Sequence, residues 1–258
     1  MGKHTRQGIC HICGMSGPLS FEHVPPAAAF NDHPVVQLGW DEIAGTHPDD
    51  LQSKKGRVSQ RGAGAYRLCV SCNNLTGHWY GSAYAHWAHQ GVLLIQHAKS
   101  APTLYHIFHT FPLRVIKQIF CMFFSANPPG FAQGHQDLVR FVLNRDFRYA
   151  NPSLRVFVYF NAAAMSRQSS ITGRVNLQKQ RSDVYSEIAF PPFGYVLSVD
   201  GNSPDINLVD ISHFSHYSYN EWADVALRLP VHHIYTPYPG DFRSRKQVLS
   251  EAGNAGRT

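Results

Sequence analysis

Phe21-Glu22-His23-Val24-Pro25-Pro26 is the stretch on which the fold turns, because it stands between two cysteine pairs, Cys10-x-x-Cys13 and Cys69-x-x-Cys72-Asn73. Leu19 to Val24 alternates apolar and polar residues, the pattern of a short half-buried strand, and Pro25-Pro26 stops it. Each Cys-x-x-Cys turn presents two sulfurs to one side of an ion. Two such pairs, Cys10, Cys13, Cys69 and Cys72, make the four-ligand set that structural zinc takes, with Zn–S at about 2.3 Å. The opening MGKHTRQGIC does not read as a secretion signal, so metal thiolates are expected rather than disulfides, which a reducing compartment does not keep. The fifth cysteine, Cys121, sits in IFCMFF and reads as a small buried hydrophobe.

Outward from these pairs the texture changes twice. Residues 31–64 are rich in Asp, Gly, His, Pro and Ser and read as loop, ending in a basic, flexible stretch from Ser53 to Gly64. After Cys72 a helix is expected, with Asn73 or Asn74 as its N-cap, continuing through Ala83, Trp87 and Leu94. A second helix is expected across 102–125, where Leu104, Ile107, Phe108, Phe111, Val115, Ile119 and Phe120 recur at helical spacing, and a short third element over 137–143. From about 150 the chain reads as strands: Leu154 to Phe160, and Ile188 to Val199 around Pro191-Pro192-Phe193-Gly194, with turns at Gly173 and Asp200-Gly201-Asn202. The polar tail after Asp241 is expected to fray. The expected class is α+β, in three parts: a four-cysteine module over 1–95, a helical segment over 96–149 packing on it, and a β-rich accessory domain over 150–258.

The whole chain of 258 residues is 43% hydrophobic, which excludes disorder, collagen and coiled coil. Its 23 Lys+Arg against 17 Asp+Glu give a formal net charge of +6, and that charge is unevenly placed. No Asp or Glu occurs between Asp50 and Asp137, and residues 51–136 carry a local +8 against −4 before and +2 after. A basic window of that kind points to a phosphate-bearing partner. The most apolar run, Leu104 to Ala126, is interrupted by His106, His109, Pro112, Arg114 and Lys117, which is too polar for a membrane span. The expectation is a soluble, cytoplasmic protein without a membrane partner.

Cys10-x-x-Cys13, then Glu22-His23-Val24-Pro25, then Cys69-x-x-Cys72-Asn73 resemble the zinc-containing HNH endonucleases of the His-Me (ββα-metal) finger superfamily. The resemblance covers roughly residues 8–90, about a third of the chain. It implies an acidic-His pair on a hairpin, followed after a loop by a helix that begins at the second cysteine pair. The chemistry such residues suit can be stated on its own. Phosphodiester hydrolysis needs a base to deprotonate water, and His titrates near neutrality. It also needs a cation to neutralise charge on the phosphorane and leaving oxygen, and a hard ion such as Mg2+ or Mn2+ takes few protein oxygens.

His23 is therefore the expected general base, Glu22 a metal ligand or an orienter of that base, and Asn73 the second metal ligand. Adjacent strand residues face opposite sides, so either Glu22 or His23 must leave regular strand geometry. Asn73 can also serve as the helix N-cap, and His78, sharing a helix face with Asn74, is the rival ligand. Lys54, Lys55, Arg57, Arg61 and Arg67 are the expected backbone-phosphate contacts. DNA is the expected substrate, with RNA left open, in a bacterial defence or restriction setting that the resemblance alone implies. The C-terminal region leaves room for a homo-oligomer or a regulatory protein partner. One family feature is missing: a middle Asn just before the second Cys-x-x-Cys, whose tethering role falls to backbone or to a residue in 31–53 such as Asn31. The competing reading is a non-catalytic zinc module that binds nucleic acid or protein, in which Glu22 and His23 do no chemistry. A zinc hydrolase of small molecules is disfavoured, since four cysteine ligands leave zinc no open position. Trp79, Tyr80, Tyr84 and Trp87 are expected to pack rather than stack on bases, and His86, His89, His97, His106 and His109 are not expected to form a second metal site.

Overall fold

In the computed structural model, residues 6–149, 151–176 and 181–255 are described. Strand β1 (Arg6–Ile9) runs antiparallel to β2 (Ser16–His23), with the first cysteine pair in the turn between them. The loop that follows holds β3 (Val35–Gln37), a single helical turn α1 (Trp40–Ile43) and β4 (Arg57–Ser59), so the expected open loop contains a short ribbon in which β3 pairs antiparallel with β4. Strand β5 (Gly64–Cys69) then returns beside β2, giving the sheet order β1-β2-β5.

Helix α2 (Val70–His97) starts where β5 ends. Its N-cap is not Asn73 or Asn74 but Cys69, whose Sγ accepts from the Cys72 N–H at 3.4 Å. The cysteine pair itself thus makes the strand-to-helix corner. Tyr80, Tyr84, Trp87, Ala88 and Gly91 form its buried stripe. Trp87 stacks on Phe193 with ring centroids 5.0 Å apart and donates to the Tyr195 hydroxyl at 3.0 Å. At Gly91 a Cβ would lie 2.6 Å from the Phe193 ring, so only glycine lets the helix approach the sheet this closely.

The expected helix over 102–125 is two elements. Strand β6 (Thr103–Thr110) precedes helix α3 (Pro112–Ala126), and Pro112 at the first helical position marks the change. In 103–110 the period is two: Phe108 and Thr110 are buried while Tyr105, Ile107 and His109 are exposed. Helix α3 is buried on all sides, from Val115 through Ser125 without a break. It lies between α2 and strands of the large sheet, which is why its apolar residues surround the axis. Helices α4 (Gly130–Gly134) and α5 (Gln136–Leu143) follow, α5 matching the element expected over 137–143.

The remaining strands are β7 (Arg155–Asn161), β8 (Arg167–Asn176), β9 (Arg181–Phe190), β10 (Phe193–Ser198), β11 (Val209–Asp210) and β12 (Ala223–His232). They join β6 in a seven-stranded sheet of order β6-β12-β7-β10-β9-β8, with β11 also on β7. Every pairing is antiparallel except the short β12–β7 junction at Val231↔Phe160 and His232↔Asn161. The run Val156 to Asn161 is buried on both faces, as a central strand demands. Gly173 is not a turn but an interior residue of β8 opposite Val184. The tail is not frayed at its start: helix α6 (Arg245–Ala255) is held to the N-terminal half by Arg245, which donates to Asp49 at 2.8 and 3.2 Å.

The fold is thus mixed α and β. One hydrophobic core runs from Cys10, Ile12 and Leu19 through α2 and α3 to Leu197 and Leu229, crossing the boundaries expected at 95 and 150. The segment 96–149 is not wholly helical, since β6 completes the large sheet beside β12. Among the described residues no helix is long and apolar enough to cross a membrane.

Candidate functional site

The four sulfurs of Cys10, Cys13, Cys69 and Cys72 all lie within 4.8 Å of one another. The first pair comes from the β1–β2 turn, the second from the end of β5 and the first turn of α2, and Cys13 Sγ stands 3.9 Å from Cys69 Sγ. The set can hold a metal ion, and four thiolates in this spacing are what zinc takes. Mutual proximity already drives the thiols apart: Cys10 is drawn down to about 4 by its hydrogen bond with Cys72, while Cys72 is pushed far up by the same partner. A cation among the sulfurs relieves that conflict by favouring thiolate at every position.

Glu22 and His23 both remain within β2, which pairs with β5 across a bulge. Ser20 pairs with Leu68 and Phe21 with Tyr66, so Arg67 is an extra, bulged residue on β5. Its carbonyl accepts from His11 N–H at 2.9 Å and its Nη1 donates to the Ser125 carbonyl at 2.5 Å. Beyond the bulge Glu22 pairs with Ala65 and His23 with Gly64, and β2 ends at His23. A Cβ at Gly64 would stand 2.1 Å from the Glu22 carbonyl oxygen, so the strands can close here only over glycine.

Phe21, Glu22, His23 and Asn73 line one cleft of about 420 Å³. Asn73 is fixed by its Nδ2, which donates to Ser20 Oγ at 3.0 Å and to the Phe21 carbonyl at 3.1 Å. Its Oδ1 takes no hydrogen bond among the described residues. His23 is half-buried against Phe21, with ring centroids 5.0 Å apart; burial, and then the charge of Arg61, lowers it below its ordinary 6.5. It is therefore neutral at pH 7 and able to accept a proton. Glu22 is 5% exposed, and burial raises its carboxyl to about 8, with Ser125 and Arg67 pulling the other way. Its Oε2 has no hydrogen-bond partner among the described residues. A bare carboxylate oxygen in a cleft that an amide also lines suits a hard divalent cation, which would stabilise the ionised form that burial opposes.

Other expected residues divide. Lys54, Lys55, Arg57 and Arg61 are exposed, whereas Arg67 is not part of that set because its guanidinium turns inward to Ser125. Asn74 and His78 are exposed and lie off the cleft wall, so His78 does not take the place of Asn73. Tyr80, Tyr84 and Trp87 are buried packing residues, and Cys121 is fully buried. Among the described residues the four cysteines are the one group of three or more His, Cys, Asp or Glu close enough together to hold a metal ion. Absent from the sequence-derived set are Thr76 and Gln118, which also line the cleft. Gln118 had a faint signal as a lone amide in the apolar run Val115 to Phe124.

A larger cleft of about 1180 Å³ lies along β12 and the C-terminal segment and shares no residue with the first. Two of its three arginines have acidic partners, Arg174 with Asp183 and Arg243 with Asp241 and Glu251. Comparison with known protein families, curated proteins and solved structures finds no match to this chain.

Proposed function

We propose that this protein is a metal-dependent endonuclease of the HNH type that hydrolyses phosphodiester bonds, with DNA as the leading substrate and RNA a further one. The observation that carries the reading is the convergence of Glu22, His23 and Asn73 on one cleft wall, next to the four-cysteine cluster. In this reading His23, neutral at pH 7, takes the proton of the attacking water. Glu22 and Asn73 supply the oxygens that hold Mg2+ or Mn2+, and such an ion lends positive charge to the phosphate and the departing oxygen. The strand-to-helix corner at Cys69 fixes Asn73, so a structural zinc among the cysteines would set the geometry of the catalytic residues without touching substrate.

Lys54, Lys55, Arg57 and Arg61 border the module on exposed backbone and suit phosphate contacts that position a duplex without reading its sequence. The β-rich half, sharing a core with the module, would govern access or assembly, and the setting implied is bacterial and cytoplasmic, in defence or restriction. The test is cleavage of supercoiled plasmid with Mg2+ or Mn2+. Wild type should nick or linearise it, and His23→Ala should lower the rate by about 10²- to 10⁴-fold. If both proteins leave the plasmid and a matching RNA intact with every metal tried, the reading fails and the non-catalytic zinc module replaces it.

A further inference from the structure

Gln118 stands on α3, outside the strand β2 and the helix α2 that carry Glu22, His23 and Asn73, yet it lines the same cleft. Its side chain is almost wholly enclosed, at 4% exposure, and its Oε1 has no hydrogen-bond partner among the described residues. Buried amide oxygens are rarely left bare, because the loss of water is not repaid. Glu22 Oε2, on the same cleft wall, is bare in the same way. An amide oxygen can only accept, and so can a carboxylate oxygen. A cation that both oxygens reach satisfies the two at once.

The kind of centre follows from the donor atoms. A carboxylate oxygen and amide oxygens, with no nitrogen or sulfur among them, are the ligands of hard divalent cations. We propose that Gln118 Oε1 is a third protein oxygen for the divalent cation held by Glu22 and Asn73, supplied by α3 from outside the module. This rests on the metal-dependent reading above. Its consequence is that the site is complete only when α3 is docked on α2. The helix buried between module and sheet then makes cation affinity depend on the fold of the rest of the chain.

The experiment measures Mn2+ binding to the full zinc-loaded chain by electron paramagnetic resonance, alongside plasmid nicking. The variants are Gln118→Met, which keeps shape and loses the oxygen, Gln118→Glu, which keeps an oxygen and adds charge, and Glu22→Gln. Gln118→Met should melt within a few degrees of wild type without Mn2+ and bind Mn2+ roughly tenfold or more weakly. Gln118→Glu should bind at least as tightly as wild type. If Gln118→Met binds Mn2+ as wild type does while Glu22→Gln loses it, the role of Gln118 is overturned and the nuclease reading stands. A wild type that holds no Mn2+ overturns both. Should Gln118→Met not fold, Gln118→Glu decides: equal or tighter binding supports the ligand role, weaker binding refutes it.

Discussion

Asn31 closes a two-way hydrogen bond with the backbone of Ala63, its Oδ1 accepting from the Ala63 N–H at 2.6 Å and its Nδ2 donating to the Ala63 carbonyl at 2.7 Å. The same Nδ2 donates to the Pro25 carbonyl at 2.6 Å, and Val24 N–H donates to Ala63 at 3.0 Å. One fully buried amide therefore clamps the segment leaving β2 to the segment entering β5, just past Glu22-His23. Asn31 thus ties the start of the loop after β2 to its end before β5.

Removing the clamp should cost stability and activity together. Asn31→Ala strips partners from buried backbone groups at Ala63 and Pro25, a loss of about 1–3 kcal/mol. At roughly 2–4 °C per kcal/mol for a chain of this size, the melting temperature should fall by several degrees. Cleavage at a temperature where the variant is still folded should fall too, because β2 and β5 no longer hold His23 in place. A variant that melts and cleaves like wild type would show that the β2–β5 ladder alone suffices.

The cysteine cluster shares its core with the whole molecule, and that shapes what zinc removal should do. Cys10, Ile12, Leu19 and Cys72 belong to the same apolar cluster as α3 and β10. Purified protein should carry about one zinc per chain. Cys69→Ser, or a strong chelator, should release it and lower the melting temperature in one cooperative transition, not in a separate loss of the N-terminal module. Calorimetry distinguishes these outcomes, and a metal-free wild type with unchanged melting contradicts the structural role of the ion.

The parts of the fold legible in the sequence were those with one dominant period. Leu19 to Val24, the helix after Cys72 and the run Leu154 to Phe160 each appear where their patterns put them. The segment 102–125 misled because its apolar residues satisfy period 3.6 over the whole length while period 2 governs its first third; only Pro112 marked the seam. Gln118 was hidden for another reason. An amide in a buried helix becomes informative only once its neighbours are known, and Glu22 is nearly a hundred residues away in sequence. The charges divide too: of the eight cations in 51–136, Arg67, Arg114 and Lys117 donate to backbone carbonyls.

That division predicts a split among basic residues. Replacing Lys54, Lys55, Arg57 and Arg61 together by Ala should leave melting nearly unchanged, since all four are exposed. It should weaken binding to duplex DNA evenly across sequences and flatten the salt dependence by up to about 0.9 per lost phosphate contact. Arg67→Ala should do the reverse, lowering stability with little effect on the salt slope, because its guanidinium holds the Ser125 carbonyl. Titrations by fluorescence anisotropy at several salt concentrations read this directly, and equal slopes for the quadruple variant and wild type would remove these residues from the interface.

Part of the acid sensitivity should be traceable to His232. Its ring packs against Tyr159 and Phe242, with centroids 5.2 and 5.1 Å away, and its Nε2 has no partner among the described residues. Burial lowers it below its ordinary 6.5, Arg167 acts the same way, and Asp205 and Glu187 oppose without prevailing. The folded chain thus holds this proton less tightly than the unfolded chain, whose imidazole titrates near 6.5. Above that pH both forms are neutral and the residue contributes no slope. As the pH drops below it the unfolded chain gains a proton the folded chain refuses, so stability is lost. His232→Phe removes that uptake while keeping a ring between Tyr159 and Phe242. The melting temperature of the variant relative to wild type should therefore rise as the buffer is taken from pH 7.5 to pH 5; a difference that stays constant would mean that His232 is protonated in the fold at no cost.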